Sequence, residues 1–566
     1  MANTLAKSES RNFWGWGQTD VRLAPAEEQA IDVVAANVNP GGGKAVSEPQ
    51  LDDFELRKPR LTPPSNLAAI ISTSQYDRLS HSFGKSFADI TRMVMRSVPE
   101  PPDMVAFPKS EQDIINLLNW ASDNNVAAIP FGGGTSVCGG VEPDVGDSYS
   151  ATLTIDMQHL DQVLEIDRTS RAARIQAGAS GPILEGQLRS HDLTLRFFPQ
   201  SFEFSTLGGW IATRAGGHYA SVYTHIDDLV ESTRTVTPRG VMETRRLPGS
   251  GAGVSGDRLM LGSEGTLGLV TEAWMRLQDR PEFRASASVA FDTMTQGTEA
   301  VRALSQSGLF PTNCRLLDPA EVKANNVGDG KSATLVLGFE SADHSLEAWM
   351  ARAMELVGDH GGRFDPQSVQ QSMQGAATHR QGAAGAWRDA FIRAPYYRDR
   401  MVRLGVIVDT FESAITWDRF DDFYRGVLQQ TGDAIRRITG HAGSVSCRFT
   451  HIYPDGVAPY FTFYARGTNN GDMASMLDKW CQIKLAANET IAVLGGTVTH
   501  HHAVGRDHRT GYEAQTSPLF RSALAGAKQQ LDPAGILNPG VLIDPTDRTV
   551  GIRGALKDAV DHSTGQ

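Results

Sequence analysis

The chain has 566 residues, which at about 150 per domain points to three or four domains. With 40% apolar and 21% charged side chains it can bury large cores and is not disordered by composition. Its 53 basic and 65 acidic residues give a net charge of −12, which excludes a general coat for nucleic acid or anionic membrane but leaves room for a local basic pocket. No run reaches the ~18 consecutive apolar residues of a spanning helix. Residues 1–17 lack a charged segment followed by an apolar core, so no secretory signal is read, and residues 562–566 carry no familiar address. Cys138, Cys314, Cys447 and Cys481 are scattered without a CxxC pair, which excludes a disulfide scaffold and a zinc ribbon and fits a reducing compartment. The expected setting is the cytoplasm.

Residues 1–98 alternate polar helical pieces with breaks at Pro59 and Pro63-Pro64, and Pro99, Pro101 and Pro102 close this partly helical N-terminal extension. From 99 to 279 the signals sharpen. Ser110 and Asp113 form a capping-box pattern ahead of Ile114, Leu117, Leu118 and Ala121 at helical spacing. The run 126–129 reads as a strand and Gly132-Gly133-Gly134 as a turn; further strands are expected at 153–155, 163–166 and 172–177, and Gly181-Pro182 opens a helix. Between 280 and 510 the expected strands are 334–339, 401–410, 445–453 and 460–464, with helices at 344–357, 416–430 and 474–493. This mixed order predicts an α+β fold with helices over one face of an antiparallel sheet. The segment 511–566 joins an amphipathic helix to a Pro/Gly-rich run at 531–542.

Glycine-rich loops narrow the chemistry. A GxGxxG at Gly251, Gly253 and Gly256 follows no strand, and Asp257-Arg258 opens no clear helix, so it reads as a flexible loop. A Walker loop from Gly134 would need lysine where Gly140 stands. Pro130-Phe131-Gly132-Gly133-Gly134-Thr135-Ser136 instead offers close backbone approach, successive N–H groups and two hydroxyls, although a tight turn between strands would use the same residues. A second run, Pro199-Gln200-Ser201-Phe202-Glu203-Phe204-Ser205-Thr206, leads to Gly208-Gly209 and then Ala212-Thr213-Arg214-Ala215. A third is Gly262-Ser263-Glu264-Gly265-Thr266-Leu267-Gly268. Three such loops suit a long ligand with a diphosphate and a heteroaromatic ring, held in an acidic protein by main-chain donors.

These motifs, with Asp532-Pro533 and Asn538-Pro539-Gly540, resemble flavoproteins of the vanillyl-alcohol-oxidase type with a PCMH-like FAD domain, over roughly residues 100–545. The resemblance implies a two-subdomain FAD-binding domain and a substrate (cap) domain on an antiparallel sheet covered by helices. It implies FAD with its pyrophosphate over residues 132–136 and its isoalloxazine at the domain interface. Covalent members carry histidine in the first loop; Thr135 stands at that place, which implies non-covalent FAD. Within the family the chain is similar to the alkyldihydroxyacetonephosphate synthases, through Phe13-Trp14-Gly15-Trp16-Gly17, residues 199–206, Thr237-Pro238-Arg239-Gly240, Cys314-Arg315-Leu316, and His500-His501-His502 before Val504-Gly505. That implies exchange of the acyl chain of acyl-dihydroxyacetone phosphate for a long-chain alcohol, with flavin N5 as electrophile and no net redox change. A homodimer and a peripheral membrane contact are compatible with it. Phe13, Trp14 and Trp16 either touch lipid or, as the better expectation, pack under a loop.

Several residues could carry chemistry. His500, His501 and His502 end an apparent strand from Gly495, whose alternation places His500 and His502 on one face and His501 on the other. The triplet reads as a metal pair, a structural cluster, or a set of donors and proton carriers; no carboxylate or cysteine stands at a characteristic ligand spacing, so no metal is expected. Tyr460, in a strand-like Tyr/Phe alternation, is structural on pattern alone. The resemblance makes it catalytic, with a phenol lowered by nearby cationic His or Arg. Arg398 is either a surface partner of Asp399 or, by resemblance, an active-site guanidinium suited to an anionic substrate. By resemblance Arg315 matches a family arginine on the structural or flavin side, and it and Arg448 are further candidate substrate-binding residues. Two other readings stand beside the synthase: an FAD-dependent 2-hydroxyacid dehydrogenase or oxidase using the same residues, and a flavin-binding protein without catalysis.

Overall fold

A computed structural model describes residues 11–219, 221–249, 251–325, 327–328, 330–374, 382–551 and 554–556. The terminal stretches in which no address was read, 1–10 and 562–566, lie outside the described residues. Helix Glu111–Asp123 forms where the spacing predicts it. Ser110 Oγ accepts the Asp113 N–H at 3.2 Å, and Asp113 Oδ2 accepts the Ser110 N–H at 3.0 Å. The helix buries Ile114, Leu117, Leu118 and Ala121, each apolar side chain contributing roughly 1–3 kcal/mol. They pack on a four-stranded sheet in which Met104–Ala106 and Val126–Phe131 run parallel to Ala151–Asp156. Ile71–Ser72, from the N-terminal extension, adds the antiparallel edge.

A second, five-stranded antiparallel sheet runs in the order Val163–Asp167, Ala172–Gln176, Leu269–Arg276, Val230–Thr237, Gly240–Glu243. It closes its own core around Trp210, Phe197 and Met275. The third sheet is antiparallel throughout: Phe283–Phe291, Ala333–Ser341, Asn313–Leu317, Ser444–Ile452, Gly456–Arg466, Val406–Glu412, with Ile415–Thr416 paired on the side. Cys447, Phe449, Phe461 and Phe463 face the helices Phe420–Thr439 and Met473–Val493 in one large core. The other face carries polar groups in register. Glu412 lies opposite Tyr460, Tyr460 opposite Arg448, and Arg448 opposite Leu317, so the first three stand in a row across adjacent strands. The C-terminal helix Pro518–Leu531 leads back to the first sheet, where Asn538 N–H donates to Ala128 O at 2.9 Å.

Three expectations are corrected. The strand expected over 401–410 begins only at Val406, because helix Gly382–Arg403 takes Met401 and the chain reverses at Gly405 with φ +75°. The strand expected from Gly495 does not form; a carboxylate claims the amides that a ladder would need. A five-residue helix, Gly256–Met260, does open at the GxGxxG, with Ser255 Oγ as its cap.

Candidate functional site

The first two glycine loops pack back to back. A Cβ on Gly133 would sit 2.1 Å from Phe204 O and one on Gly132 2.3 Å from Thr206 Oγ1, so only glycine lets these backbones meet. Thr206 then caps helix Leu207–Thr213, its Oγ1 accepting the Gly209 N–H at 3.4 Å. Between these loops and the polar face of the third sheet lies a cavity of about 240 Å³. Gly132, Gly133, Gly134, Thr135 and Ser136 border it on one side. Pro199, Gln200, Ser201, Ser205 and Thr206 continue that wall, followed by Gly209, Thr213 and Ala215. Across the space stand Arg315, Arg398, Arg448, Tyr460, His501 and His502.

Other expected residues shape the wall from behind. Pro130 packs under Gly265, Phe202 against Gly181, and Gly208 against Ala177. Phe204 meets Trp16 edge-to-face at 5.6 Å. Phe131 lines a smaller neighbouring cleft, and desolvation raises the carboxyl of Glu203. Arg214 ends the helix at φ +51° and pairs with Asp227 at 2.7 Å; Ala212 O accepts the Glu264 N–H. No residue of Gly262-Ser263-Glu264-Gly265-Thr266-Leu267-Gly268 borders the cavity. Glu264 accepts the N–H groups of Val504 and Gly505 at 2.8 and 2.7 Å, and so ties the third loop to the histidine segment.

The alternation expected for the triplet is not observed. His501 and His502 border the cavity while His500 lies behind them, its Nε2 2.9 Å from Tyr453 Oη. The cause is Glu412. Its buried carboxylate accepts the N–H groups of His500, His501 and His502 at 2.7, 3.0 and 3.0 Å, and the Thr499 hydroxyl at 2.6 Å. Burial opposes ionisation, yet the imidazoles of His501, His502 and His500 and that hydroxyl hold this carboxyl well below its usual range. Burial, the largest influence, depresses all three imidazoles, His500 to about 3. They rest neutral at pH 7.

The phenol of Tyr460 also departs from expectation. Arg448 sits over its ring at 4.0 Å, but burial outweighs that cation and raises the phenol, which donates to Thr410 Oγ1 at 2.9 Å. Charge is left to the arginines. Arg315 is lowered to about 9, chiefly by burial and then by the like charge of Arg448. Arg448 also pairs with Glu321. Arg398 bonds Asp399 at 3.4 Å and keeps a buried Nε without a hydrogen-bond partner. Asp399 in turn receives the Trp16 N–H at 2.5 Å, which draws the N-terminal strap over the cavity. Trp14 and Trp16 are buried, 7% and 8% exposed, so they pack within the protein rather than reach for lipid.

Sequence reading passed over Glu412, His451 and His225. Glu412 ends an apolar strand in which Asp409 is the other acid, and acids in such a run were the available signal. His451 borders the cavity, and His225 lies 3.3 Å from His500 through Nε2 atoms.

The cavity fits FAD: main-chain donors and hydroxyls at one end, a packed glycine cradle, and a cationic, imidazole-bearing wall opposite. Residues 102–245 match the FAD binding domain family, and residues 280–542 match the C-terminal domain of FAD linked oxidases. Alkyldihydroxyacetonephosphate synthase of Dictyostelium discoideum is 32% identical, covering 82% of this chain and 77% of its own. The Trypanosoma brucei brucei protein of that name is 28% identical over 94% and 92%. A solved alkyldihydroxyacetonephosphate synthase shares the fold with a TM-score of 0.76 at 24% identity, over 94% of this chain and 97% of the other. Among the described residues no helix is long and apolar enough to cross a membrane. This chain belongs to the alkyldihydroxyacetonephosphate synthase family of FAD-dependent enzymes.

Proposed function

We propose that the protein exchanges the acyl group of acyl-dihydroxyacetone phosphate for a long-chain alcohol, forming the alkyl ether. The observation that carries this reading is the convergence of Arg315, Arg398 and Arg448 with Tyr460, His501 and His502 on one cavity floored by the glycine loops. Bound non-covalently, FAD supplies an electrophilic flavin that activates the substrate carbon without net redox change. The three guanidinium groups hold the phosphate and the departing carboxylate, and an anion beside Arg315 relieves its repulsion with Arg448. Tyr460 is kept protonated by burial, and its hydroxyl donates to a substrate oxygen by turning from Thr410 Oγ1. His501 and His502 are kept neutral by burial, and one of them, His501, accepts the proton of the alcohol oxygen. Glu412 positions both rings by holding their backbone.

The test is to incubate the holoprotein with acyl-dihydroxyacetone phosphate and a labelled hexadecanol and to look for labelled ether. Its appearance supports the exchange. Anaerobic bleaching of the flavin by a 2-hydroxy acid, with no ether formed, replaces it with the dehydrogenase reading. Acid precipitation checks the cofactor linkage, since non-covalent FAD stays in the supernatant.

A further inference from the structure

If the exchange proceeds as proposed, each turnover releases one proton. The alcohol O–H breaks and its oxygen bonds to the substrate carbon, while the bond from that carbon to the acyl oxygen breaks with its electron pair. The acid, with a carboxyl pKa near 4, departs ionised at neutral pH. The alcohol proton therefore has to leave a cavity whose wall is buried.

A continuous line of nitrogen contacts leads out of it. His501 borders the cavity, and its Nδ1 lies 3.2 Å from His500 Nδ1. His500 Nε2 lies 3.3 Å from His225 Nε2 and 2.9 Å from Tyr453 Oη, which itself lies 3.1 Å from His225 Nε2. His225 Nδ1 reaches Arg214 O at 3.1 Å. There the line meets the surface, beside the 59%-exposed Arg214 side chain and the 36%-exposed Tyr223.

The last contact orients the rest. A carbonyl oxygen only accepts, so His225 carries its proton on Nδ1 and presents a lone pair at Nε2. His500 then donates from Nε2, to His225 directly or by way of Tyr453 Oη, and accepts at Nδ1, and His501 carries its proton on Nδ1, which faces both His500 Nδ1 and, at 3.5 Å, Glu412 Oε2. The lone pair of His501 is thus left on Nε2, which makes no hydrogen bond among the described residues. His451 is a dead end by the same logic. Its Nε2 donates to Gly217 O at 2.8 Å, and its Nδ1 is buried without a partner.

We propose that His501, His500 and His225, joined by the hydroxyl of Tyr453, form a proton exit from the cavity to the surface. His501 Nε2 takes the alcohol proton. His501 passes its Nδ1 proton to His500, which passes its Nε2 proton to His225, which releases its Nδ1 proton to water. Each ring gains and loses one proton, none changes oxidation state, and each is left in its other tautomer, which a ring flip or proton exchange with water resets before the next turnover. Burial disfavours charge on His500 and His501, so protons pass through without resting there.

Removing the outer ring tests this. His225→Ala is expected to lower kcat for ether formation about tenfold in dilute buffer with KM unchanged, and free imidazole is expected to restore it. His225→Gln, which keeps hydrogen bonds but cannot relay, is expected to show the same loss, with FAD content and melting temperature as in the parent. An undiminished kcat in both variants would overturn the relay, as would a loss that imidazole leaves untouched. A parent activity that chelation abolishes and zinc restores would also overturn it, because an ion among His451, His500 and His501, whose ligand atoms lie within 4.8 Å of one another, would occupy the nitrogens that the relay needs. A parent that forms no ether removes the exchange reaction itself, whereas an active parent indifferent to His225 removes only the exit.

Discussion

Glu412 and Glu264 hold neighbouring peptides of one loop, and they are driven in opposite directions. Glu412, from the third sheet, accepts three amides and a hydroxyl beside three imidazoles and stays ionised. Glu264, from the third glycine loop, accepts two amides, and burial pushes it up to about 7 despite them. The sheet side of the site is thus built on charge, and the glycine-loop side on neutral main-chain contacts and close packing. Glu412→Gln should break that contrast with the largest effect. It leaves a buried amide facing N–H donors, and a loss of about 3 kcal/mol is expected from the urea midpoint at pH 7. Because the folded-state pKa of Glu412 lies below its unfolded value, its stabilisation is present above about pH 4.5. It is lost as pH falls through the lower folded value, so parent and variant should converge in acid.

Glu264 sharpens the contrast from the other side. Its carboxyl is raised from 4.5 to about 7 on folding, so between those values the folded protein holds a proton that the unfolded chain has released. Stability should therefore fall by about 3 kcal/mol as pH rises through that window, and flatten above it. Glu264→Gln removes this one contribution, and the difference between the two urea midpoints at pH 5, 6, 7 and 8 should shift by that amount. A constant difference would place an ionised Glu264 on the neutral side and dissolve the comparison.

The two sides also differ in how far they could be read from the sequence. Helix Glu111–Asp123 and the glycine runs were legible because capping and close approach are local properties of adjacent residues. Tyr460 and the arginines were legible as types, and resemblance supplied their roles. The course of the histidine loop was not legible. Glu412 lies 88 residues before His500, and only the folded sheet brings its carboxylate to those amides. Local alternation therefore assigned the triplet to a strand, and put His500 on the wrong side. The direction of the Tyr460 shift was hidden for the same reason, since burial is decided by the whole fold.

Gly133→Ala probes the glycine-loop side by shape alone. The added methyl would meet Phe204 O at 2.1 Å, a backbone atom that cannot swing aside. Separating the two loops should cost about 2 kcal/mol, read as a roughly thirtyfold weaker FAD affinity in titration of the apoprotein. The sheet side should be untouched, and the acid limb of the stability curve, which reports Glu412, should keep its shape. A changed acid limb would show that the two walls are not independent.

Thr206→Ala is the mildest perturbation. Thr206 is 2% exposed and its hydroxyl caps helix Leu207–Thr213 through the Gly209 N–H, while its Oγ1 also fills the space against Gly132. Losing the cap should lower stability by about 1 kcal/mol, a small shift in urea midpoint at unchanged slope. The cap is a neutral hydrogen bond, so this loss should be the same at pH 5 and pH 8 and insensitive to salt. Thr206→Ser, which keeps the oxygen and drops a methyl, should recover most of it. A loss that instead grew with pH would mean that the deletion reaches Glu264 through the packed loops, and would move the charge boundary of the site to the glycine-loop side of the cavity.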